Sequence, residues 1–108
     1  MSFNILGLSP ELKKAIERKG YTNPSDIQLQ AIPSIIEGND IMAGAQTGTG
    51  KTAAFALPIL QKLQNDESKR RRVRALILVP TRELASQVGD SFRSYGNNLR
   101  FRTSTLYG

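Results

Sequence analysis

The stretch AQTGTGKT, residues Ala45–Thr52, has the chemistry of a phosphate-binding loop. Small residues allow successive backbone N–H groups to turn inward and surround a pyrophosphate at a helix N-terminus, where the helix dipole also favours an anion. Gly48 and Gly50 supply the permissive backbone. Lys51 would place its charge between the β- and γ-phosphates, and the Thr52 hydroxyl would bind a magnesium ion. The stretch therefore predicts a nucleotide site.

The residues on either side of the loop favour this interpretation. Asp40–Gly44 is a short, mostly apolar run typical of a buried strand, and residues 52–63 have the apolar periodicity of a helix. The strict phosphate-loop pattern has a glycine where this chain has Ala45. The alternative is a flexible TGTG turn, with Lys51 and Thr52 beginning an ordinary surface helix. The order of strand, glycine loop and helix favours the nucleotide site.

Further helices are predicted over residues 9–19, 25–38 and 81–95, each followed or ended by a glycine. Ala75–Val79 reads as a strand buried on both faces, and Phe101–Leu106 as a third strand. Pro33 and Pro58 are expected to bend their helices. Strands alternating with helices predict a doubly wound α/β sheet. The residues expected on apolar helix faces are Leu12, Ala15, Ile16, Ile27, Ala31, Ile32, Ile35, Ile36, Phe55, Ile59, Leu60, Leu63, Leu84, Val88, Phe92 and Tyr95.

Composition limits the classes of function. The 108 residues suit one small domain or a piece of a larger one, and a formal charge of +6 with a pI near 10.1 suits a polyanionic partner such as nucleic acid. Without Cys or His, the chain has no disulfide, thiolate nucleophile, imidazole base or zinc site. No leader pattern and no apolar run of ~18 residues is present, so we expect no membrane association and a cytoplasmic location.

Three motifs in order carry a resemblance to a known family. GYTNPSDIQ (Gly20–Gln28), AQTGTGKT and PTRELA (Pro80–Ala85) resemble the opening motifs of the DEAD-box RNA helicases, whose own loop also begins with alanine. Phe3 and the LGLS of residues 6–9 resemble the bacterial RhlE-type branch. The resemblance covers residues 1–108. It implies the N-terminal part of a RecA-like P-loop NTPase domain, with a parallel sheet flanked by helices and truncated after the third strand.

By this resemblance the segment of about residues 1–38 recognises the adenine of ATP. Gln28 would hydrogen-bond the base edge, because an amide both donates and accepts. The alternative is a capping box in which Gln28 only binds back to the Ser25 backbone. Ser25 replaces the usual threonine and Asp26 stands where proline is common. The residues expected to contact ATP and magnesium are Phe3, Tyr21, Pro24, Gln28, Gln46, Thr47, Gly48, Thr49, Gly50, Lys51 and Thr52, with Lys51 and Thr52 the catalytic pair and Thr52 the metal ligand.

The resemblance also implies that residues 80–85 contact the sugar-phosphate backbone of RNA. A structural role is expected there too, because Thr81 can cap a helix and Glu83 suits the positive end of its dipole. The positive charge of Arg82 is unfavourable at the positive end of that dipole, and the resemblance implies that Arg82 is present because it contacts RNA. The expected RNA-contacting residues are Pro80, Thr81, Arg82, Glu83 and Gly108. The basic run Lys69–Arg72 has two interpretations, a nucleic-acid contact and a solvated face, and we favour the solvated face because charge runs in loops are usually solvated.

Hydrolysis by P-loop enzymes needs an acidic residue that holds magnesium and an arginine that offsets the developing charge. The sequence shows a candidate for neither, so we interpret it as the N-terminal part of an ATP-dependent RNA helicase that is inactive by itself. Two alternatives remain. One is a non-enzymatic module that binds adenine nucleotide or RNA, and the other is a different P-loop enzyme such as a small-molecule kinase.

Overall fold

The computed structural model describes residues 6–42, 50–65, 74–97, 99 and 101–106. This part of the chain contains four α-helices. They are α1 (Pro10–Arg18), α2 (Asp26–Ile36), α3 (Lys51–Asn65) and α4 (Arg82–Tyr95). Helix α3 contacts both α2 and α4, and α4 also contacts α1. The longest has 15 residues, and none of the described helices is long and apolar enough to cross a membrane.

The first helix begins and ends where local sequence signals place it. Ser9 Oγ accepts the Leu12 N–H at 3.3 Å and so caps the N-terminus. Gly20 follows the helix with a φ of +81°, and the Tyr21 N–H returns to the Ile16 carbonyl at 3.3 Å. This left-handed glycine cap satisfies carbonyls that the helix itself leaves without donors. The predicted apolar residues Leu12, Ala15 and Ile16 are all buried.

Helix α2 also ends at a left-handed glycine, and a lysine of α3 lies close to that end. Gly38 has a φ of +92°, and the Asn39 N–H returns to the Ser34 carbonyl at 3.1 Å. No basic residue lies in the last turn of α2. The ammonium of Lys62 lies 3.8 Å from the position that a Cβ on Gly38 would occupy. Lys62 therefore brings a positive charge to the negative end of the α2 dipole.

Helix α3 is more deeply buried than its sequence pattern predicts. The predicted face included Phe55 and Ile59, which are half-buried, together with Leu60, which is buried. The pattern missed a larger set, because contact with both α2 and α4 covers more than one face of α3. Its buried residues are Ala53, Ala54, Ala56, Leu57, Pro58, Leu60 and Gln61. Both α2 and α3 continue past their internal prolines, so the expected bends stay predictions.

The predicted sheet is not confirmed, because no segment of the described ranges forms a β-strand. Burial still alternates with the period of a strand: Ile77 and Val79 are half-buried, whereas Leu76 and Leu78 are 77% and 84% exposed. The expectation that residues 75–79 are buried on both faces is therefore wrong for the described structure. A side-chain pattern specifies a covered face, but a strand also needs a neighbour for its hydrogen bonds. The strand predicted at 40–44 is described only as far as Met42.

A buried glutamine of α3 provides a second cap for α1. Gln61 Oε1 accepts the Ser9 N–H at 2.7 Å, and Gln61 Nε2 donates to Asn65 Oδ1 at 2.8 Å. One turn further on, Gln64 Nε2 donates to Glu11 Oε2 at 3.1 Å. Hydrogen bonds from its own backbone and then from Gln64 hold the pKa of Glu11 below its usual value. These contacts fix the start of α1 on the C-terminal half of α3.

We expect Gln61→Ala to lower the free energy of unfolding by about 1 to 3 kcal/mol, because a partly buried N–H at Ser9 loses its acceptor. Gln30→Ala is the matched control, since Gln30 is exposed on α2 and the substitution is the same. Chemical denaturation of both variants measures the difference. Equal stabilities of the two variants would show that the Ser9 bond contributes nothing measurable.

Candidate nucleotide and nucleic-acid site

The N-terminus of α3 has the geometry of an anion site. Its first hydrogen bond runs from the Ala54 N–H to the Gly50 carbonyl at 3.1 Å, so Gly50 is the residue at which the helix begins. Lys51, which is exposed, and Thr52, which is half-buried, are the next two residues. Backbone N–H groups of a first helical turn have no acceptor within the helix, and the dipole is positive there. The sequence-predicted pair therefore stands where a phosphate binds most readily.

Gly50 is fixed at this position by its conformation and by a close neighbour. Its φ is +80°, which side chains other than glycine rarely adopt. A Cβ there would also collide with Gln28 Nε2 and lie 3.4 Å from Ser25 Oγ. Gln28 Nε2 donates to the Gly50 carbonyl at 3.1 Å. Thus the structure brings two sequence-predicted residues, one from each motif, into direct contact.

Gln28 also completes a capping box at the start of α2. Gln28 Oε1 accepts the Ser25 N–H at 2.9 Å, and Ser25 Oγ accepts the Gln28 N–H at 3.4 Å. The side chain is only 4% exposed. An amide oxygen accepts two hydrogen bonds and an amide nitrogen donates two, and these contacts use one of each. The capping box is therefore formed, and it is chemically compatible with a base contact.

Tyr21 lies beside a residue that the motifs did not single out. Tyr21 is 47% exposed and neighbours Tyr95, which is buried at the end of α4. Burial, followed by the neighbouring Tyr21, raises the pKa of the Tyr95 hydroxyl. The ammonium of Lys19 lies 4.8 Å from the Tyr95 ring centroid. Sequence spacing gives no signal for this contact, because its partners are far apart in the chain. Pro24 is half-buried immediately before the Ser25 cap.

A second exposed helix N-terminus carries the predicted RNA residues. Thr81 Oγ1 accepts the Leu84 N–H at 3.1 Å and caps α4, which confirms the predicted cap. That bond uses an oxygen lone pair of Thr81 and leaves its hydroxyl proton for another acceptor. Arg82 is the first helical residue, and residues Pro80 to Glu83 are all exposed. Both groups of candidate residues therefore stand at the beginnings of helices.

Several predicted residues lie outside the described part of the chain. They are Phe3, Gln46, Thr47, Gly48, Thr49 and Gly108, together with the basic run 69–72. Among the residues that are described, no group of three or more Asp, Glu, His or Cys side chains could hold a metal ion. Thr52 is the single sequence-predicted metal ligand, and its position at the start of α3 suits a hydroxyl that reaches a phosphate-bound cation.

Comparison with known proteins identifies close relatives of the whole chain. Residues 25–108 match the family model described as DEAD/DEAH box helicase. The chain is 48% identical over 107 residues to the DEAD-box ATP-dependent RNA helicase RhpA of Helicobacter pylori, an alignment that covers 99% of this chain and 21% of that protein. It is 49% identical over 107 residues to the ATP-dependent rRNA helicase RRP3 of Meyerozyma guilliermondii, covering 99% of this chain and 22% of that protein.

Solved structures share the fold. The RNA-helicase Prp28 from Chaetomium thermophilum, bound to ADP, superposes with a TM-score of 0.89 at 37% identity over 99% of this chain and 26% of its own. S. cerevisiae Dbp5, bound to RNA and ADP BeF3, gives 0.79 at 38% identity over 89% of this chain and 24% of its own. A DEAD box protein from Methanococcus jannaschii gives 0.78 at 43% identity over 88% of this chain and 25% of its own.

The chain spans about a fifth of the length of the curated relatives that it matches. The family match nevertheless covers most of the chain itself, from Ser25 onward, and includes the loop before α3 and the turn before α4. On that match, the chain belongs to the DEAD/DEAH box helicase family.

Proposed function

We propose that residues 1–108 bind adenine nucleotide and part of an RNA backbone within an ATP-dependent RNA helicase. The observation that carries the proposal is the hydrogen bond between Gln28 and the Gly50 carbonyl, which joins the segment expected to recognise the base to the loop expected to hold the phosphates. Relatives support it, since Prp28 was solved with ADP and Dbp5 with RNA and ADP BeF3. The proposal also includes a partial RecA-like architecture for residues 1–108.

The start of α3 would hold the phosphates of ATP. Its first-turn N–H groups and the Lys51 ammonium would bind phosphate oxygens. Gln46, Thr47, Gly48 and Thr49 complete this proposed loop. The Thr52 hydroxyl would hold a magnesium ion, which supplies charge neutralisation to the phosphates when bound.

Gln28 would recognise adenine with the half of its amide that the capping box does not use. One oxygen lone pair and one N–H proton remain beyond the bonds to Ser25 and Gly50. That pair matches the adjacent donor and acceptor on the adenine edge, whereas guanine presents a different pattern there. Phe3, Tyr21 and Pro24 would shape the surrounding pocket.

The start of α4 would bind the RNA backbone. The Thr81 hydroxyl keeps a proton to donate, and the first-turn N–H groups of α4 favour a phosphate oxygen. Arg82 would add a charge-assisted contact. Pro80, Glu83 and Gly108 belong to the same proposed surface. These contacts hold the backbone and carry no sequence information themselves.

Turnover requires groups that we assign to other parts of the same helicase. Hydrolysis needs an acidic residue on the metal and an arginine near the transferring phosphoryl group, and neither has a candidate in this sequence. The curated relatives are about five times as long, which leaves ample chain for both. We therefore propose that residues 1–108 bind but do not hydrolyse ATP when isolated.

Lys51→Ala should weaken ATP binding by about tenfold or more, because a phosphate cluster loses a charge-assisted contact of about 1.5 to 3 kcal/mol. Isothermal calorimetry on the full-length helicase measures the change. Lys14→Ala is the control, since Lys14 is exposed on α1 and loses the same charge. An unchanged affinity for ATP in a folded Lys51→Ala protein would contradict the phosphate-loop assignment.

Gln28→Ala should lose both stability and the preference for ATP over GTP, each by about 1 to 3 kcal/mol, because one amide serves the capping box, the Gly50 carbonyl and the base. Ser25→Ala is the matched variant, since it removes the other half of the capping box and leaves the amide in place. It should lose stability and keep the preference for ATP. Competition binding and thermal unfolding measure the two effects. A Gln28→Ala protein that still prefers ATP would leave Gln28 with a structural role alone.

Arg82→Ala should weaken binding to all RNA sequences alike and lower the salt slope of log affinity by about one unit, because one phosphate contact is lost. Arg18→Ala, an exposed arginine on α1, is the control. Fluorescence anisotropy with two unrelated RNA sequences at four salt concentrations provides the measurement. A loss confined to one sequence, or an unchanged slope, contradicts a backbone contact.

A further inference from the structure

The segment that leads into α4, residues 74–79, has one covered face and one open face. Ile77 packs against the hydrophobic core, whereas Leu76 and Leu78 are mostly exposed. A segment with only one covered face normally alternates apolar and polar residues. Residues 75–79, with the sequence ALILV, are apolar at every position. The open face therefore has the composition of a buried one.

A second segment, residues 101–106, lies beside the first and extends the open face. The Arg74 guanidinium carbon lies 5.4 Å from the Phe101 ring centroid, so the starts of the two segments are neighbours. Burial alternates from Phe101, which packs against the core, to Leu106, which is 88% exposed on the opposite face. Grouped exposed apolar side chains mark a contact surface, whereas single ones are ordinary. We define the outer leucine face as Leu76, Leu78 and Leu106.

The observations favour another part of the same helicase chain as the partner of this face. Most of each relative lies outside the part that matches this chain. A segment joined to the face by the same chain has an effective concentration of about a millimolar, which a separate partner rarely reaches. A second copy of residues 1–108 would bring another formal charge of +6, which opposes association. The leucine side chains offer no hydrogen bond, so the partner surface is apolar too.

We propose that the outer leucine face is the docking surface for an apolar face of another segment of the same helicase chain, outside residues 1–108. This inference rests on the part of the proposed function that places residues 1–108 within a longer helicase. It does not depend on ATP or RNA binding. Docking of this kind removes the leucine side chains from water, and that burial stabilises the contact.

Thiol labelling of the purified full-length helicase tests whether the face is covered. Leu76→Cys and Leu78→Cys place a thiol on the face, and Gln87→Cys, at an exposed position of α4, is the control. The tryptic peptides 75–82 and 83–93 report these positions separately from cysteines elsewhere in the helicase. Each native rate is divided by the rate in urea, which corrects for thiol reactivity. Both face positions should react about a hundredfold or more slowly than position 87, because labelling must wait for local opening.

The dependence on protein concentration identifies the partner. Slow labelling at every concentration supports a segment of the same chain. Slow labelling that becomes fast on dilution, with dimers in sedimentation, would overturn the proposal in favour of a second copy. Labelling at both face positions as fast as at position 87 would overturn it outright, because the face would be open to water.

Two controls keep this result separate from folding and from the proposed function. If both leucine variants fail to fold while Gln87→Cys folds, the face is covered, because a cysteine at an exposed leucine changes stability little. The labelling readout needs neither ATP nor RNA. A helicase that binds neither ligand would therefore overturn the proposed binding function and leave the docking result intact, and an open face would leave ligand binding intact.

Discussion

The hydrogen bond from Gln28 Nε2 to the Gly50 carbonyl connects the beginnings of two helices. At one end, the same amide completes the capping box of α2. At the other, the same carbonyl accepts the first hydrogen bond of α3. The Gln28 side chain is buried, so this 3.1 Å bond is not exchanged freely for water. The orientation of the α3 N-terminus, where Lys51 and Thr52 stand, follows from it.

The bodies of α3 and α4 are buried, whereas their first residues are accessible to an anion. The body of each helix is anchored in the core, by Leu57 and Leu60 in α3 and by Phe92 and Tyr95 in α4. Their first residues stay accessible, and the unpaired N–H groups of a first turn can bind an anion only when they are accessible. In the proposed function, a rigid core behind an open helix N-terminus would give a preorganised phosphate site at little entropic cost on binding.

Local signals in the sequence predicted most of the helix boundaries, because a cap is decided within four residues. Ser9, Ser25 and Thr81 all cap where the sequence indicates, and Gly20 and Gly38 end their helices in left-handed conformations. Contacts between distant segments were not predictable in this way. The Gln61 bond to Ser9, the Tyr21 contact with Tyr95 and the approach of Thr105 to Gly89 depend on how helices pack. The predicted sheet was not confirmed for the same reason. Alternating buried and exposed side chains show which face of a segment is covered, but a β-strand also needs a neighbouring strand for its backbone hydrogen bonds.

The residue type at position 28 is constrained by the fold as much as by any base. Glutamate has the same shape, and its oxygen could accept the Ser25 N–H as Gln28 Oε1 does. Its second oxygen, however, would face the Gly50 carbonyl, and two acceptors would meet where a donor is now bonded. Shorter residues would leave that carbonyl with one partner fewer. If Gln28 reads the base as proposed, a chain that changed this side chain to read a different base would also lose the bond at the start of α3. On that proposal, specificity for the base and the geometry of the phosphate site cannot vary independently.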